Sequence, residues 1–356
     1  MKRLVLFCLF GTAALALSAC GARPNPSWPG LAADVERAYL ASGSFVYAVR
    51  LSDGTQVWKY PEKTAAHSFI SSPVLTDDGQ LLVASAGTDN ALFSLDPKTG
   101  TENWALPLTG SGNFWVASPL VLGQTVYAAN NNGKLYAIEL STGKPAWDLQ
   151  IDNSLWSAPT TNGTLIFVAS LDHSLYAVDP ETQVIAWEID LGGAAAGSAT
   201  VSSDGKTLYA GSFDKKVVAI DAASGSIQWA AELQDLVWSA PVQDGDTLYA
   251  ADISGRLYSL GIPHGKNAWA DLQPDGPITG SPLVLPDGML VATESGTVFS
   301  YNKQGTKSWD ISVGGKIYTT PVAAGDVVLI APMNAEFLLV ALNPANQSIV
   351  WKFTGR

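Results

Sequence analysis

The chain has 356 residues and a formal net charge of −12, with only 15% of its residues charged. So acidic a surface repels nucleic-acid phosphate and anionic lipid head groups, which excludes charge-driven binding to either. The only cysteines, Cys8 and Cys20, lie at the N-terminus, so the rest of the chain has no disulfide, cysteine metal site or thiol nucleophile.

The first element in chain order is a targeting segment over residues 1–19. Lys2 and Arg3 form a basic start, and Leu4 to Leu17 is an uncharged apolar run of 14 residues. A membrane span needs about 20, so the run reads as a cleaved signal. Leu17-Ser18-Ala19-Cys20 resembles the lipobox of bacterial lipoproteins, which implies cleavage before Cys20 and a lipid on its sulfur. Loss of Lys2 and Arg3 takes the charge to −14, so the lipid, not basic residues, would hold the chain at a membrane. A polar tether over 20–26 follows.

From residue 27 to 356 the chain repeats. Trp58, Trp104, Trp147, Trp187, Trp229, Trp269, Trp309 and Trp351 form a ladder with gaps of 40 to 46 residues. Each copy reads as four short strands. A Ser-x-Pro-like word precedes the first, with Pro73, Pro119, Pro159, Pro241, Pro282 and Pro321 marking six copies, Thr200 replacing the proline in the fifth and Pro29 marking a degenerate first. Asx-Gly pairs follow at 78–79, 162–163, 204–205, 244–245 and 287–288. Such pairs tolerate the positive φ of tight hairpins. The second and third strands alternate apolar and small residues, and the fourth carries the tryptophan.

A four-stranded unit recurring at about 42 residues predicts an all-β fold, an eight-bladed β-propeller of four-stranded antiparallel blades. Residues 32–38 look helical in isolation, but the repeat register makes them strand, turn and strand. The first strand begins near Ser27 and the last ends just past Trp351. No strand is left over to exchange, so the ring is expected to close by packing alone.

Each ladder tryptophan follows by four residues Gly54, Gly100, Gly143, Gly225, Gly265 or Gly305, with Gln183 and Gln347 as exceptions. Ten residues before it stands a small residue in seven copies: Ala48, Ser94, Ala137, Ala177, Ala219, Ser259 and Ala341. The spacing predicts a flat ring docked where a glycine turn and a small side chain leave room, so the eight are expected to be structural.

The run from Ala137 to Trp147, AIELSTGKPAW, resembles the A-x-D-x-x-T-G-K-x-x-W docking motif of the quinoprotein (PQQ)-like propeller family. Ala177-Val178-Asp179 with Trp187, and Ala219-Ile220-Asp221 with Trp229, are similar. The resemblance spans the whole repeated region and implies the fold. It also implies one of two activities, since the family holds both quinone-dependent dehydrogenases and non-catalytic lipoproteins of outer-membrane barrel assembly.

Against the dehydrogenase stand the short gaps, which leave no room for inserted loops, and the absence of a cysteine pair or a convergent Glu/Asn/Asp set. No cofactor, metal site or catalytic residue is expected. His67, His173 and His264 lie in different repeats without metal-ligand spacing, and carboxylate pairs such as Asp77-Asp78 fall in hairpin turns.

Two other recurring positions are candidates for binding. The connections from fourth strand to next first strand carry Phe69, Trp115, Trp156, Trp238 and Tyr318, three or four residues before each opening proline. These are read either as a partner-binding aromatic rim or as pins holding each crossing to the blade beneath. The words LWSAP at 155–159 and VWSAP at 237–241, two repeats apart, contribute two of them. The hairpins between second and third strands carry Asp89, Asn132, Asp172, Asp214, Glu294 and Glu336, a candidate acidic ring at the same end.

The function expected is a non-enzymatic, lipid-anchored scaffold for protein partners, which the resemblance would make subunits of the barrel-assembly machinery. An extracytoplasmic ligand-binding sensor or surface module and a PQQ-dependent dehydrogenase-like enzyme are the alternatives. Gly21 after Cys20 lacks the aspartate of inner-membrane retention. That points to the periplasmic face of an outer membrane in a two-membrane bacterium, and otherwise to the outer face of the cell membrane.

Overall fold

A computed structural model describes residues 28–63, 65–86, 90–108, 114–151 and 153–355. The leader, the tether, Cys20 and Asp89 lie outside them. The described residues form 32 strands and no helix, in eight sheets of four. The blades span 30–60, 74–107, 120–150, 160–190, 200–232, 242–267, 283–312 and 322–353. Each is four consecutive antiparallel strands, so the expected architecture is present. Blade 1 opens with Gly30–Ala33 and Arg37–Ser42, the strand–turn–strand that repeat register required of a helical-looking stretch.

Eight apolar clusters fill the eight blade interfaces. Leu82, Leu92 and Trp115 of blade 2 and its connection meet Val126 and Ile138 of blade 3. Leu31, Leu40 and Val49 of blade 1 meet Leu329, Leu339 and Phe353 of blade 8, and that cluster closes the ring with no exchanged strand. The middle strands are buried on both faces, whereas fourth strands alternate exposed and half-buried positions. This is the pattern expected when each blade is covered on both sides and only its outer strand meets water.

Each docked tryptophan touches two blades. Its cross-strand neighbour in its own blade is the small residue: Ala48 opposite Trp58, Ser94 opposite Trp104, Ala341 opposite Trp351. The pairing register shifts by one residue immediately after each of these small residues. The glycine belongs to that neighbour: a Cβ on Gly100 would stand 2.7 Å from the Trp58 ring, and one on Gly143 would stand 2.5 Å from Trp104. The indole N–H of Trp58, Trp104, Trp187, Trp229 and Trp351 then donates to Pro97, Leu140, Ala222, Ile262 and Leu51 carbonyls, at 2.7–3.1 Å. In every case the acceptor lies three residues before the receiving glycine.

Three local readings are corrected. In blade 6 the fourth strand is only Lys266–Asn267, and Trp269 lies just past it with its buried N–H unpartnered. The turn that receives it, in blade 7, is one residue shorter than the others. The same shortening puts the small partner of Trp309 at Ser300, nine residues earlier rather than ten. Finally, Gly288 is not a left-handed turn residue. It pairs within a strand, and a Cβ there would lie 2.0 Å from the Tyr301 carbonyl, so close approach explains the glycine.

Candidate functional site

Alternating strand direction brings two sets of loops to one end of the channel: the hairpins between second and third strands, and the connections that lead into each first strand. In blades 4 to 8 the hairpin holds the connection ahead of it through a backbone N–H. Leu171 donates to Ser154, Phe213 to Ala194, Ile253 to Leu236, Glu294 to Pro277 and Met333 to Lys316, at 2.7–3.1 Å. This end is therefore a framework of paired loops, not a set of free ones.

The opening word of each blade adds to it. Ser157 Oγ donates to the Ala169 carbonyl at 2.9 Å and accepts the Ala169 N–H at 2.8 Å, standing in for a strand partner. Ser118 Oγ donates to Ser72 O of blade 2, and Ser281 Oγ to Ala240 O of blade 6. The residue before the proline is thus small and ties neighbouring blades together.

Blade 1 breaks that rule with Trp28 before Pro29. Its ring stacks on Tyr318, centroids 5.8 Å apart and planes 8° from parallel. It also meets Trp238 edge-on at 5.4 Å, and Trp238 stacks on Phe213 at 5.3 Å. Four rings from the loops of blades 1, 5, 6 and 8 therefore join at the mouth of the channel. Such pairs add about 0.5–1.5 kcal/mol each beyond area burial. At the edge of the group Lys316 Nζ lies 6.0 Å from the Tyr318 ring and 4.0 Å from the Glu294 carboxylate.

The five aromatics expected on the rim divide. Trp238 and Tyr318 are half-buried in the four-ring group, and Trp156, at the matching word two blades earlier, stands 39% exposed. Phe69 and Trp115 are corrections: both are fully buried. Phe69 makes backbone bridges to Gly43 and Ser85 that turn its ring into the interface of blades 1 and 2. Trp115 sinks between blades 2 and 3, edge-on to Tyr136 at 5.3 Å. Both act as pins. Trp28 and Phe213 escaped sequence reasoning because each sits at a repeating position that carries no ring in the other copies: Phe213 matches Leu171 and Ile253, and Trp28-Pro29 is the one opening word with a large residue before its proline.

At the hairpin positions the structure places mixed roles rather than a bare ring of charge. Asn132 accepts the Lys134 N–H and donates to Tyr136 Oη. Asp172 accepts from Ser174 N and Tyr176 Oη, both at 2.9 Å. Burial first, and then that bond, pushes the Tyr176 phenol well up, so it stays a neutral donor. Asp214 pairs with Lys216 at 2.5 Å and Glu294 with Lys316, while Glu336 is exposed. Lys134, Lys215 and Arg256 add further ion pairs at this end.

The donor set does not fit a quinone cofactor with its calcium ion. Among the described residues no three His, Cys, Asp or Glu side chains converge in a way that could hold a metal ion. The mouth itself is filled by aromatic rings with one lysine at their edge, which offers little to a polycarboxylate.

The fold defines a class: a quinoprotein-like eight-bladed propeller. A family model described as outer membrane protein assembly factor BamB matches residues 42–133 and 95–271, more than half the chain. The chain belongs to the BamB family. It is 25% identical over 244 residues to BamB of Bordetella pertussis, covering 65% of this chain and 50% of that protein. With BamB of Moranella endobia it shares 23% identity over 318 residues, 88% of this chain and 72% of the other. It spans about half of the Bordetella pertussis and Burkholderia pseudomallei proteins, 50% and 44%. The crystal structure of BamB from Moraxella catarrhalis superposes with a TM-score of 0.71 at 19% identity, over 92% of this chain and 94% of that one. A computationally designed protein, Ika8, superposes equally well at 0.73 and 13% identity, over 86% and 94%. Backbone likeness therefore speaks to the fold alone.

Proposed function

We propose that the protein is a non-enzymatic scaffold, lipid-anchored through Cys20, that binds protein partners in outer-membrane protein assembly, on the periplasmic face of that membrane. The observation that carries this reading is the aromatic mouth, with the exposed Trp156 beside it on loops held rigid by their hairpins. Protein contacts concentrate their energy on aromatic anchors presented without much ordering cost. Family membership supports the same reading, because the relatives are named as assembly factors. Mixed carboxylates and cations around the mouth form a polar rim suited to orienting a partner.

Crosslinking and pull-down from native membranes tests it. Recovery of barrel-assembly subunits, reduced by Trp156→Ala, is the expected result. Recovery unaffected by changes anywhere on this face places the contact elsewhere, and quinone- and calcium-dependent dye reduction by the purified protein overturns the non-enzymatic reading.

A further inference from the structure

Two of the eight docking seats carry glutamine instead of glycine. A Cβ at Gly54, Gly100, Gly143, Gly225 or Gly265 would lie 2.5–2.8 Å from the docked indole, so a seat with a side chain holds the ring off. By the same register Trp147 is received at Gln183 and Trp309 at Gln347, and among the described residues neither indole N–H has an acceptor. At the other seats the acceptor is the carbonyl three residues earlier, which for Trp309 is that of Pro344. Donor ring and acceptor residue instead both line a cleft of about 490 Å³ between blades 7 and 8, at the end opposite the mouth. That volume falls within the roughly 300–1,000 Å³ of small-molecule sites.

We propose that this cleft binds a small neutral saccharide. The place of the missing bond takes a group that accepts from the Trp309 N–H and donates to the Pro344 carbonyl at once. A hydroxyl does both, whereas an ammonium cannot accept and a carboxylate cannot donate. At the rim stand Asp287 and Asp326, from the first hairpins of blades 7 and 8. Both are exposed, and neither has a hydrogen bond or ion pair among the described residues. The nearby Lys303 is paired elsewhere, with Asp244 at 2.7 Å. Two ionised carboxylates accept from hydroxyl groups and repel an anionic ligand. Asn343 Oδ1 accepts the Ala345 and Asn346 N–H groups at 2.9 and 3.1 Å, which leaves its amide N–H donors to the cleft. A hydroxyl-rich, uncharged molecule satisfies this mixed set of donors and acceptors. The seat at Gln183 offers no such set, because the first hairpins of blades 3 and 4 carry Gly123, Gln124, Asn162 and Gly163 and no carboxylate. The site lies away from the aromatic mouth and does not depend on the scaffold reading.

Saturation-transfer NMR on the full chain, in a detergent without a sugar head group, tests the site. The probes are glucose, N-acetylglucosamine, maltose and trehalose, with choline and gluconate as charged controls. Saturable binding of at least one neutral sugar, and of neither control, is expected. Gln347→Gly lets the Trp309 ring seat against Pro344, and it should weaken binding by about tenfold or more while the chain stays folded. Gln183→Gly, the same change at the other seat, should leave binding as it was. Asp287→Ala combined with Asp326→Ala should also weaken binding by about tenfold or more, without a lower melting temperature, since both side chains are exposed. No binding of any of the sugars, or binding of choline or gluconate in their place, overturns the ligand class. Sugar binding undiminished in Gln347→Gly overturns the placement of the site.

Discussion

The ring of Trp104 lies directly against the α-carbon of Gly143 in the next blade, and no side chain fits between them. A Cβ on Gly143 would stand 2.5 Å from the indole, and φ there is +69°. Left-handed backbone costs a non-glycine residue about 1–2 kcal/mol, and the ring must also move. Gly143→Ala is expected to cost about 3 kcal/mol, approaching the roughly 3–5 kcal/mol of Trp104→Ala. Urea unfolding measures both. A loss below about 1 kcal/mol for Gly143→Ala would mean the interface yields far more easily than a packed core should.

Gln183 and Gln347 occupy the matching position in blades 4 and 8, at φ +59° and +58°. Replacing either with glycine relieves about 1–2 kcal/mol of left-handed strain and adds about 0.5–1 kcal/mol of unfolded-state entropy. The first effect is the larger, so each change should raise stability by roughly 0.5 kcal/mol. A lowered melting temperature would show that the glutamine side chains make contacts worth more than the strain.

Ser157 supplies both halves of a missing strand pairing to Ala169. Ser157→Ala leaves a buried N–H and a buried C=O without that partner, at a cost of about 1–3 kcal/mol. Amide exchange at Ala169 should accelerate relative to Ala210 in blade 5, and unchanged protection at Ala169 would count against the pairing.

Acid should weaken the turns that receive the docked rings. In Asp179 the Thr182 N–H, then the Thr182 hydroxyl and the Glu181 N–H, hold the carboxyl below the usual range. In Asp221 the Ser224 hydroxyl and N–H do the same. A depressed folded-state pKa contributes fully above the unfolded value of about 3.9 and is lost as pH falls through the folded one. Stability should therefore decline with acidification below about pH 4. Asp221→Asn should flatten that decline, and a variant as acid-sensitive as the parent would exclude Asp221 as a contributor.

Trp115 and Trp156 lie one register apart, four and three residues before their opening prolines, and should respond oppositely. Trp115→Ala empties a site between blades 2 and 3 and should cost about 3–5 kcal/mol. Trp156→Ala should change stability by less than about 0.5 kcal/mol and reduce partner recovery. Equal stability losses would mean that both rings are pins.

Blade number, closure and ring docking were legible because each depends on offsets that recur. Gly143 stands four residues before Trp147 in its own strand pair, and the same offset repeats around the ring, so local spacing encodes interface geometry. Trp309 and its partner Ser300 were less legible, because one missing turn residue shifts the register without changing composition. The fate of the connection aromatics was written in a one-residue offset that treating them as a single set concealed. Phe69 and Trp115 stand four residues before their prolines and are buried, as Leu155, Val237 and Ile317 are at the same offset, while Trp156, Trp238 and Tyr318 stand three before and stay half-buried or exposed.

By itself the sequence determined the eight blades, their strand order, the helical-looking stretch that folds as strand, and the docking of rings on glycine turns. Each of these follows from contacts within one blade or between adjacent repeats, where periodicity repeats the signal eight times. Only the tertiary structure decided which aromatic rings meet at the channel mouth. Trp238 and Tyr318 share a place three residues before their opening prolines, but no spacing along the chain joins them to Trp28 and Phe213. They meet because closing the ring brings the first residue of blade 1 beside loops from the far end of the chain, a consequence of closure that no local pattern carries.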